Sequence, residues 1–407
     1  MAPVTRLTVG RTTGGRIALA VLAVVATSVF LVTVPLFREW FDLAVYDGAV
    51  EHWVHDGGRL YDFVVPGTHY GFTYPPFAAV CMLPMAWIGW PLAVTISAVL
   101  NVVASAAVLY WLVWPVIRRQ PWCGWFAVVL AVCLFALLEP VHDTFTFGQV
   151  NLILLALVLA DIRLLSTRFA RYAGIGIGIA AAVKLTPVVF IGYLLVTRRH
   201  RAAIVAASVA VGGTVIAALA DPAASRYYWT KALWDTTRVG DLTYVSNQSW
   251  QGVVARYFDP SHPSRAVWAV GVVVLLAVWA RRVRAAPRDD TTGVALTGLL
   301  ACLISPITWV HHLVWAVPAL TALAAAGLRQ PRRRGLLLAA AGAHVLLSSS
   351  LVWLWRFDFA GVTGFLGSNA YVWLCAALLL FLPLKESRGG VRVSGAQPVQ
   401  LRADRVA

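Results

Sequence analysis

The stretch IALAVLAVVATSVFLVTVPLFREWFDLAVYDGAVEHW, Ile17 to Trp53, decides how the rest of the chain is read. Its first half carries no charge. Its second half holds Arg38, Glu39, Asp42, Asp47 and Glu51 among aromatic rings. Crossing a bilayer takes roughly 20 apolar residues at 1.5 Å rise each, and the run 17–36 has that length. Arg6, Arg11 and Arg16 precede it, as in a secretory leader, but no small-residue cleavage site follows. It reads as a first transmembrane helix with an acidic, aromatic loop at its far end.

The rest of the chain repeats the theme. Of 407 residues, 60% are hydrophobic and 13% charged, with mean hydropathy +0.75. A soluble domain is about a quarter charged. Apolar runs recur almost from end to end, so the fold class expected is an all-α polytopic membrane protein built as one large membrane domain. Full-length spans are expected at 17–36, 92–116, 122–139, 149–166, 202–220, 265–283, 335–353 and 368–384. The stretches 172–197 and 293–327 are each broken near the middle by a polar-proline step, KLTP at Lys184–Pro187 and SPITWVHH at Ser305–His312. Each is read as a hairpin of two helices, which makes about twelve crossings. Residues 75–91, with their prolines, Trp87 and Trp90, are read as a short re-entrant or interfacial helix.

The net charge of +15 resides mainly in short clusters between apolar runs: Arg198–Arg201, Arg281–Arg284, Arg329–Arg334 and the tail from Lys385. Such clusters mark cytoplasmic ends, so both termini belong in the cytoplasm. No aromatic-interleaved basic patch points to nucleic acid. Residues 37–74, 140–148, 221–264 and 354–367 then lie on the outer face. The expected organisation is a cytoplasmic segment 1–16, a membrane catalytic domain 17–384 with outer loops at about 37–74 and 221–264, and a disordered cytoplasmic tail 385–407. Five cysteines, all in apolar runs and none in a CxxC pair, read as small buried hydrophobes.

The chemistry must come from the polar residues that interrupt this pattern. On a helix from Phe41, Asp42 and Tyr46 share a face while Asp47 points elsewhere. Ringed by Trp40, Phe41 and Tyr46, Asp42 is either a base with a raised pKa or one more solvated acid. Asp47, Glu51 and Asp56 read as a solvated loop face. Lys184 is an ionisable group inside an apolar run beside a helix break. It reads as an anion site, or else as a lysine reaching for the surface. His311 and His312 point to different sides of a helix and lack the i, i+4 spacing of a zinc helix. One of them faces a polar cavity, or both are buried and hydrogen-bonded. Gln149 and Asn151, the loop Asn247–Gln248–Ser249 with Arg256, and His69 to Tyr74 combine amides with aromatic rings. That mixture suits a sugar, and equally helix caps and turns. No P-loop, no GxGxxG after a strand and no GxSxG is present. An enzyme acting at the outer leaflet without nucleotide needs an activated group already in the bilayer, such as a lipid phosphate.

Six blocks, in order, carry a resemblance to a known family: FDLAVYDGAVEHWVHDGGRLYD (Phe41–Asp62), YGFTYPPFAA (Tyr70–Ala79), FGQVNLILLALVLAD (Phe147–Asp161), AAVKLTPVVF (Ala181–Phe190), NQSWQGVVAR (Asn247–Arg256) and SPITWVHHLVW (Ser305–Trp315). Together they resemble glycosyltransferase family 87, the actinobacterial polyprenyl-phosphate-mannose-dependent alpha-(1→2)-mannosyltransferases of the GT-C fold. The resemblance implies a multi-pass plasma-membrane enzyme with its site on the extracytoplasmic face. Its donor would be a beta-linked polyprenyl phosphate mannose, used with inversion. Its acceptor would be a glycolipid or lipoglycan such as a phosphatidylinositol mannoside or lipomannan. Asp42 matches the family's aspartate after the first helix and is the expected base. His311 or His312, with His312 favoured, matches the late histidine and is expected at the donor phosphate, joined by Lys184 and Arg256. Tyr46, Tyr61, Tyr74, Asn247, Gln248, Gln149 and Asn151 are expected around the sugars. No cofactor is expected, although the clustered acids leave a divalent metal open. An arabinofuranosyltransferase using a polyprenyl phosphoarabinose, or a flippase for a lipid-linked sugar, would share most of these features.

Overall fold

A computed structural model describes residues 12–34, 37–257, 263–329 and 334–384. The tail 385–407, most of the segment 1–16 and most of the Arg329–Arg334 cluster lie outside the described residues. Within them the chain is helical, and β structure is limited to one antiparallel bridge between Val64 and Gly71.

Among the described residues five helices are long and apolar enough to cross a membrane: Thr13–Thr33, Trp90–Ile117, His200–Ala220, Arg265–Ala285 and Val310–Arg329. Two bent pairs, Gly124–Leu137 with Glu139–Phe147 (70°) and Gly361–Ser368 with Ala370–Phe381 (63°), raise the number to seven if each is one span. That is short of the about twelve expected from apolar length. The differences fall where backbone chemistry interrupts hydropathy. The expected span 122–139 turns at Leu138, where Glu139 and Pro140 start a new helix. The expected span 149–166 is a helix of 14 residues, Asn151–Leu164, about 21 Å long against a hydrocarbon core of about 30 Å. The expected span 335–353 leaves α-helix at Ser348 and continues as a 3₁₀ turn, Leu351–Trp355. Residues 75–91 form a short helix, Pro76–Met82, running into a 3₁₀ turn, Leu83–Trp87. Both expected hairpins do break at their polar-proline steps, at Lys184 and between Ile304 and Val310.

Two apolar cores organise the molecule. The larger surrounds the buried helix Asp290–Ile304, which packs against Arg265–Ala285, Val317–Arg329 and Ala370–Phe381. The smaller lies under the helix Phe41–Val54 and gathers Tyr61, Phe72, Tyr74, Ala78 and Tyr228. Val150 and Val183 pack against both cores. Their chain neighbours Gln149, Asn151 and Lys184 therefore stand at the seam, where buried polar groups face each other instead of lipid. Close packing holds one side of this seam rigid. A side chain at Gly178 would meet the carbonyl of Ala206 at 2.6 Å, so Ile175–Val183 lies directly on the small-residue face of His200–Ala220.

Candidate active site

A cavity of about 410 Å³ opens at the seam. Asp42, Tyr46, Tyr74, Gln149, Lys184, His311 and His312 all line it. The helix that presents Asp42 starts in an unusual way. Glu39 and Trp40 both adopt left-handed backbone, φ 52° and 56°, a conformation that costs an L-residue about 1–2 kcal/mol. The Trp40 N–H donates to the carbonyl of Thr146 at 2.8 Å, which ties this turn to the end of Glu139–Phe147. Asp42 thus falls in the first helical turn, one turn before Tyr46 on the same face.

A chain of hydrogen bonds links these residues. The Gln149 amide donates to Asp42 Oδ2 at 2.7 Å, and Gln149 Oε1 accepts from the Tyr74 hydroxyl at 2.8 Å. The Tyr74 oxygen in turn accepts from the Tyr46 hydroxyl and from Lys184 Nζ, each at 3.0 Å. Enclosure in protein pushes the Asp42 carboxyl up to about 6. The Gln149 amide opposes that shift, as Lys184 does when it is protonated, and Asp143 adds to it. Loss of hydration also raises the Tyr46 and Tyr74 phenols, which stay protonated as donors.

Lys184 occupies the helix break itself, with extended backbone at φ −143°, ψ 132°, before Pro187. Its Nζ has three partners: the Tyr74 hydroxyl, Asn151 Oδ1 at 2.9 Å and His312 Nε2 at 2.9 Å. The last contact fixes protons. His312 Nδ1 accepts the backbone N–H of Trp309 at 3.1 Å, so the proton of the neutral ring resides on Nε2. An ammonium has no lone pair to receive it. An uncharged amine has two N–H donors and one lone pair, which matches the three partners.

His312 reaches this position because the loop Ser246–Ser249 satisfies the broken backbone before it. Asn247 Nδ2 donates to the carbonyls of Leu242 and Pro306, and Asn247 Oδ1 accepts from Thr308 N–H. Ser249 donates to Pro306 O, and Val310 N–H donates to Ser246 Oγ. Gln248 joins Val245, Ser368 and Val372. Both amides are fully buried and stay out of the cavity wall. Arg256, expected at a phosphate, is spent on the carbonyls of Thr243, Tyr244 and Asn247 and on Asn369 Oδ1. Burial lowers its pKa to about 9. Tyr61 lies behind the cavity, donating to the Tyr74 carbonyl at 2.8 Å and stacked on Tyr228. Asn151 also stays behind the wall, between Lys184 and the carbonyl of His311. So Tyr61, Asn247, Gln248 and Arg256 build the scaffold of the site rather than its surface.

The cavity has residues that sequence reasoning missed. Arg38, Asp143, Arg238, Trp309 and Trp353 share its wall. Asp143 stood in a segment read as an outer loop, with nothing in its neighbours to set it apart. Arg38 was counted only as a charge.

Gly148 holds two walls together. At φ 70° it ends the helix Glu139–Phe147, and a β-carbon there would meet Leu43 Cβ at 2.6 Å and Trp40 at 3.2 Å. Gly148→Ala is expected to destabilise the protein by about 1–3 kcal/mol and to push the Asp42 helix off Gln149. A lower unfolding midpoint together with at least tenfold slower turnover is the expected result.

Comparison with known proteins follows the same lines. Residues 72–306 match glycosyltransferase family 87. A Mycobacterium tuberculosis protein named polyprenol-phosphate-mannose-dependent alpha-(1-2)-phosphatidylinositol mannoside mannosyltransferase is 30% identical over 83% of this chain and 83% of its own. A protein of the same name from Mycolicibacterium smegmatis is 32% identical over 85% and 84%. A Mycobacterium tuberculosis protein named as the corresponding phosphatidylinositol pentamannoside mannosyltransferase is 32% identical over 85% and 80%. No solved structure matches.

Proposed function

The chain belongs to glycosyltransferase family 87, and from that premise we propose that it moves mannose from a polyprenyl monophosphate to a phosphatidylinositol mannoside or related lipoglycan, with inversion and an alpha-(1→2) bond. The observation that carries this reading is the pairing, across one cavity, of Asp42 with the Lys184–His312 pair. Asp42 is held by a neutral amide, so it is free to take a proton. Of the other acids on the wall, Asp143 is paired with Arg38 at 3.6 Å and Asp235 accepts from the Thr237 N–H and hydroxyl, so both are the poorer bases.

In the reaction, the acceptor hydroxyl attacks C1 of the mannose while Asp42 removes its proton. The bond from C1 to the phosphate oxygen breaks on the opposite side. The prenyl phosphate leaves with an added negative charge, which protonated Lys184 and the His312 Nε2–H stabilise. Tyr46, Tyr74 and Gln149 face the sugar between these poles. The prenyl tail lies among the helices. The shorter apolar helices complete a GT-C-type bundle around this centre. The cavity faces the extracytoplasmic side and both termini lie in the cytoplasm. Support comes from helices that begin at the cavity and run to basic ends: Asn151–Leu164 to Arg163, and Val310–Arg329 to Arg329.

The test is transfer by purified protein in lipid nanodiscs, with radiolabelled polyprenyl phosphomannose and polyprenyl phosphoarabinose offered in parallel to a phosphatidylinositol mannoside. A new alpha-(1→2) mannose is expected. Transfer of arabinose alone, or movement of the donor across vesicles without transfer, would overturn the reading.

A further inference from the structure

A wall of the cavity that runs from Arg38 and Asp143 to His311, beside His312, holds buried polar groups whose hydrogen bonds are unmet among the described residues. Asp143 is 2% exposed, and its nearest cationic or imidazole partners, Arg38 Nε and His142 Nδ1, both stand 3.6 Å away, beyond hydrogen-bond length. Arg38 Nε and His311 Nε2 are buried and have no hydrogen-bond partner. His311 itself is 4% exposed and lines the cavity. Leaving such groups unsatisfied costs about 1–3 kcal/mol each, and native proteins seldom do so without a reason.

Arg38 and His311 converge on one ring, and Asp143 adjoins them through Arg38. The Arg38 guanidinium carbon is 5.4 Å from the centroid of Phe147, and the His311 ring is 5.1 Å from the same centroid. Arg38 also lies 5.1 Å from the ring of Trp353, which Glu139 holds through a 2.5 Å hydrogen bond from its indole N–H. Glu139 is fixed in turn by the Tyr371 hydroxyl. Trp309 and Tyr244 complete an aromatic wall.

The chemistry selects the ligand. Asp143 needs a donor. Arg38 Nε needs an acceptor, and so does His311 if its proton is on Nε2. A phosphate would offer acceptors only and would be repelled by Asp143. A cation would be repelled by Arg38. Hydroxyl groups donate and accept, and a pyranose ring adds an apolar C–H face for the aromatic wall. Position then selects which sugar. Asp143 stands on Glu139–Phe147, the helix to whose end the turn before Asp42 is tied by the Trp40 N–H, and Arg38 precedes Asp42 by four residues, whereas Lys184 occupies a separate helix break. A group here sits on the base's side of the reacting carbon, away from the leaving phosphate.

We propose that Asp143, Arg38 and His311, walled by Phe147 and Trp353, form the subsite for the pyranose ring of the acceptor that carries the attacking hydroxyl. This rests on the proposed transfer reaction. Asp143 and Arg38 are then residues that choose the acceptor.

The test uses Asp143→Asn and, to retain charge and fold, Arg38→Lys. Three readouts are taken on the purified protein in nanodiscs: KM for the mannoside acceptor, release of free mannose from polyprenyl phosphomannose without acceptor, and saturation-transfer NMR of methyl α-mannoside. Both variants are expected to raise acceptor KM at least tenfold and to lose the NMR signal, while acceptor-free donor hydrolysis stays within twofold of wild type. Unchanged acceptor KM and an unchanged NMR signal would overturn the subsite. So would a parallel fall in donor hydrolysis, which would mean that these residues hold the donor. A wild-type protein that uses no prenyl phosphate sugar, yet loses its saccharide signal in Asp143→Asn, would sink the proposed reaction and leave the subsite standing.

Discussion

Replacing Asp42 by asparagine lowers turnover by about 10²–10⁴-fold, the range for loss of a positioned general base. The change keeps side-chain size, and the Gln149 amide can still donate to the new carbonyl oxygen, so the unfolding midpoint and donor KM are expected to hold. Full activity in Asp42→Asn would remove this residue as base. The same carboxyl sets a pH profile. With its pKa raised to about 6 by enclosure, it is protonated and useless as a base below that value and ionised above it. The kcat/KM of wild type should therefore rise with pH through about 6 and level off near neutrality. A glutamate at position 42, if active, should keep an acid limb, while residual activity in Asp42→Asn should lack it.

Replacing Lys184 by methionine removes the charge proposed to stabilise the leaving phosphate, with an expected loss of about 10²–10³-fold in kcat. A proton measurement separates this from simple loss of packing. The hydrogen bonds to Tyr74, Asn151 and His312 describe an uncharged amine in the free protein. A phosphodiester arriving beside it favours the ammonium. Donor binding to wild type should take up about one proton, read by calorimetry in buffers of different ionisation enthalpy. Binding to Lys184→Met should take up none. Equal proton uptake in both would place the proton elsewhere.

Part of this molecule could be read from its residues. Apolar run length identified a membrane protein, and among the described residues five to seven of the expected crossings have helices long and apolar enough to span. Hydropathy is blind to the backbone events at Leu138, Ser348 and Ser368 that shorten or bend helices. Asp42 and Tyr46 were placed on one face by helical spacing, and Lys184 stood out as a charge in an apolar run. Both signals are local, and all three residues line the cavity. Asn247, Gln248 and Arg256 lie off the cavity wall, which the sequence does not display, because an amide or guanidinium that staples a broken helix has the same composition as one that binds a sugar or a phosphate. Only the partner tells them apart, and the partners are carbonyls far along the chain. Asp143 and Arg38 were overlooked for the complementary reason: what distinguishes them is an unmet hydrogen bond, which no sequence displays.

The three contacts of Lys184 come from Tyr74, Asn151 and His312, which lie 110, 33 and 128 residues away. A ribosome that has released the first half of the polypeptide has already delivered the lysine to the bilayer, but the imidazole that completes its coordination is still unmade. Until it emerges, the partners already made are Tyr74 and Asn151. On the proposed role of Lys184 and His312, competence arrives late in biosynthesis, and a product of premature termination before His312 is expected to be inert however well its leading helices insert.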